Sequence, residues 1–208
     1  MAINTYAQLQ AAAANWLVRG DLTARIPEFI SLAEARLNRV LRTRLAETEV
    51  ALSVASGTRT IPLPAGFTEP LRVWIEKAGE RIELPFIEAS LLGASSLRGE
   101  PGAWTVDGPN LAFDRPCDQD YALTLRMLRA FALSDVAPTN GLLADAPDIY
   151  LFATLSEAGP FLRDAELAGA YESKLDRAID ELNAKDARSR APRRLSTELP
   201  DLILERRA

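Results

Sequence analysis

The carboxylates nearest one another in this chain of 208 residues are Asp118 with Asp120 and Asp145 with Asp148. Such pairs can serve as a general acid and base, or hold a hard cation through oxygen ligands. Their settings point elsewhere. Asp118 and Asp120 fall in a predicted turn, where an Asp side chain bonds to nearby backbone. Asp145 stands just before Pro147 at a predicted helix start, where a cap needs an acceptor of this kind. The sequence contains no histidine and so lacks the usual general base near neutral pH and the commonest metal ligand. Ser-His-Asp and Cys-His hydrolases and histidine-ligated zinc sites are thereby excluded. The single cysteine, Cys117, excludes an intrachain disulfide framework and any multi-thiolate metal site. The expectation is no catalytic residue, no bound metal and no cofactor.

The other groups with chemical potential read the same way. Gly93, Gly99 and Gly102 match neither a dinucleotide fingerprint nor a phosphate loop, and no Gly-Lys-Ser/Thr follows them, so they are expected in loops. Trp16, Trp74 and Trp104 could stack on bases, but they lie far apart in helical or strand patterns that suit packing in a core or an interface. Arg188, Arg190, Arg193 and Arg194 form a basic run that could contact phosphate, dock on an acidic protein partner, or simply be solvated.

Charge weakens the nucleic-acid reading. The net charge is −5, and Lys185 to Ala208 holds seven Lys/Arg against four Asp/Glu, so a body of −8 carries an end of +3. Wrapping DNA depends on neutralising phosphates, which an acidic body does poorly. With 48% hydrophobic and 25% charged residues the composition is that of a globular protein. No apolar run approaches the roughly 18 residues of a membrane span. Met1–Arg19 shows no basic leader, apolar block and cleavage site, so no secretory signal is expected.

These residues must be positioned by elements that the patterning reveals. Thr5 and Gln8 have capping-box spacing, and Leu9, Ala13, Trp16 and Leu17 share a helical face over 5–19, with Gly20 as the expected stop. Ile26, Phe29, Ile30, Ala33, Leu37, Val40 and Leu41 recur at three and four over a second helix, 26–44, with Pro27 in its first turn. Glu28, Glu34, Arg36, Arg39, Arg42 and Arg44 are expected on its solvated faces. From Thr48 the period becomes two, and strands are predicted at 48–54, 58–63, 71–76, 81–84, 104–106, 111–113 and 121–128. Asp107-Gly108-Pro109-Asn110 is a turn between two of them. This β insertion, about 48–131, fits an antiparallel sheet or small barrel. Helices return at 147–163, where Ile149, Phe152, Leu155, Gly159 and Leu162 line one side, and at 165–188, where Leu167, Tyr171, Leu175, Ala178, Ile179 and Leu182 do. Glu181 and Lys185 are an expected i,i+4 pair. The fold class is α+β: a bundle of about four helices with an inserted antiparallel β region. One domain spans 1–187, and 188–208 is an extended tail.

Thr5-Tyr6-Ala7-Gln8-Leu9 through Trp16-Leu17, followed by Asp21 to Arg39, resembles the opening of adaptor proteins in the head-tail connectors of short-tailed and related phages. Pro147-Asp148-Ile149-Tyr150-Leu151, Glu157-Ala158, Pro160-Phe161-Leu162, the 171–183 helix and the Arg-rich end look like that family's C-terminal helices. Leu63-Pro64-Ala65-Gly66-Phe67 is similar to its loop after the first strands. The resemblance implies a structural virion protein made in the host cytoplasm, a homo-oligomeric ring, dodecameric, below the portal protein. Such a ring extends the DNA channel and offers a face to the tail nozzle or another tail protein. Genomic DNA would pass without sequence-specific binding, and no membrane is involved. The tail residues Arg188, Arg190, Arg193, Arg194, Leu199, Leu202, Ile203 and Leu204 are the expected portal-docking group. Two other readings stay open: a DNA-binding or packaging-associated protein using the basic tail, tested by salt-dependent duplex binding, and a lytic enzyme using a carboxylate pair, tested by peptidoglycan turnover.

Overall fold

The computed structural model describes residues 2–93 and 95–190. Helix α1 (Tyr6–Leu17) begins where Thr5 Oγ1 accepts the Gln8 N–H at 3.3 Å. Gln8 Oε1 returns the favour to Asn4, 2.8 Å away and one residue earlier than a regular capping box. The stop is Val18 and not Gly20: Val18 turns left-handed at φ 52°, and Gly20 opens a 3-10 turn, Gly20–Leu22. Helix α2 (Ile26–Val40) has Pro27 in its first turn and buries Ile26, Phe29, Ile30, Ala33 and Leu37. It ends four residues before the expected 44, because Leu41 is already extended and a 3-10 turn, Arg44–Ala46, leads into the sheet. Val40, assigned to the apolar stripe, lies at that frayed end and is 51% exposed.

All seven expected strands form: β1 (Glu47–Val54), β2 (Thr60–Pro62), β3 (Phe67–Lys77), β4 (Glu80–Leu84), β5 (Trp104–Asp107), β6 (Asn110–Phe113) and β7 (Tyr121–Arg129). They divide between two antiparallel sheets, ordered β1-β7-β3-β4 and β2-β6-β5. β3 starts four residues before the expected 71 and carries register shifts at Phe67/Glu69 and Pro70/Arg72, where Pro70 can give no ladder N–H. The Gly108-Pro109 loop joins β5 to β6, with Gly108 at φ 55° before a proline that fixes its own φ negative, as a type II′ turn requires. Val54, Val73, Ile75, Leu123, Leu125 and Met127 of the larger sheet form one core with Ile61, Trp104, Leu111 and Phe113 of the smaller.

Asn140 caps a short helix not foreseen in the sequence, α3 (Gly141–Asp145), its Oδ1 accepting the Leu143 N–H at 2.9 Å. Then come α4 (Pro147–Leu162) and α5 (Ala165–Arg190). α4 is buried along most of its length, with α1, α2 and α5 around it. α4 and α5 meet closely at Gly159, where a Cβ would lie 2.5 Å from Ala168 Cβ. Leu175, Ala178 and Leu182 of α5 are buried as their spacing predicts. These helices share a second core, which Leu128 and Phe131 join from the end of β7. Asn38 fastens the two parts, donating to the Phe131 carbonyl at 2.9 Å and accepting its N–H at 2.7 Å. The result is the expected α+β class, five helices with two small antiparallel sheets.

Candidate functional site

Three of the four paired carboxylates are absorbed into structure, and Asp148 lies in the first turn of α4. Asp118 Oδ1 accepts the Tyr121 hydroxyl at 2.7 Å, and Asp120 Oδ1 accepts the Ser56 N–H at 2.7 Å, tying the turn before β7 to the end of β1. Asp145 caps no helix: it ends α3 and receives Lys185 of α5 at 2.7 Å. The N-cap of α4 is Ala146, without a side-chain bond. Lys185 therefore reaches across to another helix instead of pairing with Glu181 along its own. Among the described residues no cluster of three or more His, Cys, Asp or Glu could hold a metal. Cys117 is buried and free, and burial raises its thiol pKa, the reverse of what a nucleophile needs.

Gly93, Gly99 and Gly102 lie in the loop between β4 and β5. Trp104 is a core residue whose Nε1 donates to the Leu84 carbonyl at 2.9 Å. Trp74 lies on the outer face of the larger sheet with the Arg81 guanidinium 5.6 Å from its ring centroid. Trp16 is 46% exposed and meets Phe152 at 6.0 Å and Tyr171 at 6.1 Å, with the Lys174 ammonium 5.8 Å away. Of the tail group, Arg188 lies in α5, its Nε donating to the Ala184 carbonyl at 3.1 Å, and Arg190 is the last residue of that helix. Arg193, Arg194, Leu199, Leu202, Ile203 and Leu204 lie outside the described residues.

Two charges assigned to the solvated face of α2 hold the bundle together. Arg36 pairs with Glu172 of α5 and lies 3.9 Å from Glu157 of α4, and the pairing with Glu172 raises its pKa. Glu34 turns inward, accepting the Tyr150 hydroxyl at 3.3 Å, while that hydroxyl accepts from Asn140 Nδ2 at 2.6 Å. Burial pushes the Glu34 carboxyl up to about 7, against the opposing pull of the Leu133 N–H and Tyr150. Burial likewise raises the Tyr150 phenol. A chain of Glu34, Tyr150 and Asn140 thus links α2, α4 and the α3 cap. The sequence offered no signal for it, since a mid-helix Glu reads as solvated until its partner helix is placed.

What the surface does offer is interaction area. Leu91 and Leu97, 73% and 76% exposed, and Phe86 project from the β4–β5 loop, and Phe161 and Leu32 project from the bundle. The outer face of the larger sheet is a lattice of ion pairs: Arg126 with Glu47, Arg81 with Glu49 and Glu76, Arg72 with Glu83. Among the described residues no helix is long and apolar enough to cross a membrane. A protein-family model described as SU10 adaptor protein matches residues 4–197, covering both helical segments and the whole β insertion. A comparison with curated proteins finds no match. With that match running over nearly its whole length, and with a body of packed helices and ion-paired sheets, the chain belongs to the SU10 adaptor protein family of phage head-tail adaptors.

Proposed function

We propose that this protein assembles as a ring, twelvefold, beneath the portal of its phage, extends the DNA channel and presents its far face to the tail. The observation that carries this reading is the adaptor-family match over residues 4–197. Adaptor membership implies a structural role in the virion, with portal and tail proteins as partners and assembly in the host cell. The physics is compatible. A ring subunit needs rigidity, which the Gly159–Ala168 crossing and the Arg36 pairings supply, and it needs lateral faces, which the exposed apolar residues supply. An acidic body also suits a conduit, because an excess of positive charge would hold passing DNA through many phosphate contacts.

The tail is assigned to the portal. Arg190, Arg193 and Arg194 pair with acidic portal side chains, and Leu199, Leu202, Ile203 and Leu204 anchor in a portal groove. Each contact is weak because the segment must order on binding, and the many copies in the ring make the attachment firm. The expected isolated state is a monomer, since no helix carries the long heptads of an obligate coiled coil. Light scattering on the purified chain tests this. A stable closed ring at micromolar concentration, without portal, would contradict portal-templated assembly.

A further inference from the structure

A cleft of about 600 Å³ opens where the sheets meet the bundle. Small residues make up half of its lining, among them Ala65 and Gly66 before β3, Ala130 and Ala132 after β7, and Ala137, with Leu45, Glu47, Arg129 and Phe131 beside them. A second depression, about 280 Å³, runs along the last turns of α5 and shares Leu45 with the first. α5 is moored at this spot: the Arg44 N–H donates to Asp186 Oδ2 at 3.2 Å, and Arg44 Nη1 donates to Ser189 Oγ at 3.0 Å. The last described turn of α5 therefore lies beside a depression that shares a wall residue with the cleft.

The residues that follow suit those walls. Leu199-Pro200-Asp201-Leu202-Ile203-Leu204 carries four large aliphatic side chains, and half of the residues lining the cleft are alanine or glycine, which leave room for them. Leu199 lies nine positions beyond Arg190, a reach of up to roughly 30 Å. At the lip stands Arg129, its side chain lying over Gly66 and without an ion-pair partner among the described residues, and the segment carries Asp201. We propose that in the isolated subunit the segment Leu199–Leu204 docks in this cleft of its own chain, with Asp201 against Arg129. Tethering keeps the segment at high local concentration, so modest contacts suffice. Docking covers four aliphatic residues that would otherwise promote association, and the portal must displace it. That last consequence rests on the portal-docking reading, whereas the docking itself does not.

The test is made on the full chain without portal. Ala132→Cys with Ile203→Cys places one thiol in the cleft and one in the segment, and Cys117, fully buried, stays out of reach. The control pairs Ile203→Cys with Ala184→Cys, exposed on α5 less than two turns before Arg190. Docking predicts a disulfide within one chain, independent of protein concentration, closing about tenfold or more faster in the cleft pair than in the control. Equal rates, or a disulfide only between chains, overturn the proposal. Hydrogen exchange on the unsubstituted chain gives a second reading. Residues 130–137 should lose protection when the chain is cut after Arg190, and unchanged protection overturns it. A docked segment that nevertheless fails to bind portal would refute the portal reading alone.

Discussion

Replacing Glu34 by Gln removes a charge from the junction of α2, α4 and α3 while leaving an acceptor for the Tyr150 hydroxyl. The folded carboxyl titrates at about 7 against an ordinary 4.5, with burial as the chief cause. A carboxyl raised in this way contributes its full stability below about pH 4.5, where it is protonated folded or unfolded. That contribution is lost as the pH rises to 7 and stays lost above. The shift would correspond to about 3.4 kcal/mol at 1.36 kcal/mol per unit. The carboxyl is only half-buried, however, so solvent screening reduces this, and we expect about 1–2 kcal/mol. Glu34→Gln should therefore melt about 2–8 °C higher than the parent at pH 8 and within about 1 °C at pH 4.5. Thermal denaturation of both proteins across pH 4.5–8, followed by circular dichroism, gives the difference directly. Other carboxylates titrate too: Glu172 and Asp114 are held low, and their stabilisation is lost as the pH falls through those low values. They are common to both proteins and cancel. A Gln variant less stable at pH 8, or a difference that does not change with pH, would mean that the carboxylate is charged and satisfied in the folded state, and the reasoning would fail.

Other substitutions test the packing. Gly159→Ala puts a Cβ 2.5 Å from Ala168 Cβ and 2.8 Å from its Cα, so α4 and α5 must separate, and denaturant titration should show a loss of about 2–3 kcal/mol. Ala78 turns β3 into β4 at φ 51°, beside Gly79 at φ 83°; Ala78→Asn suits that left-handed position and should gain roughly 0.5–1 kcal/mol in the same assay. A chain cut after Arg190 keeps every described helix and strand, and so should keep its circular dichroism spectrum while losing portal binding in co-sedimentation.

Local rules wrote much of this fold into the sequence. The stripes of α2 and α5, the Thr5 cap, Pro27 and Pro147 in first turns and the seven strands are all decided within a few residues, and all stand in the structure. Pairing was illegible. β1 is separated from its neighbour β7 by 66 residues, and β7 intrudes between β1 and β3 as one of the two inner strands of the larger sheet. α3 is five residues long, too short for periodicity to show. The polar residues were hardest to place. Glu34, Arg36, Asp145 and Lys185 all read as caps, local pairs or solvated charges, and each proved to bond a helix distant in sequence. A pattern of charge along one helix carries no information about the neighbour that helix will meet.

The most direct test of the adaptor reading is to mix the full chain with the purified portal protein of its phage and image the complex by electron cryomicroscopy. The account predicts a ring of one adaptor per portal subunit on the tail-facing side, with the segment after Arg190 reaching into portal grooves. Portal particles that remain bare at saturating adaptor, or adaptor bound elsewhere than in that ring, would contradict it.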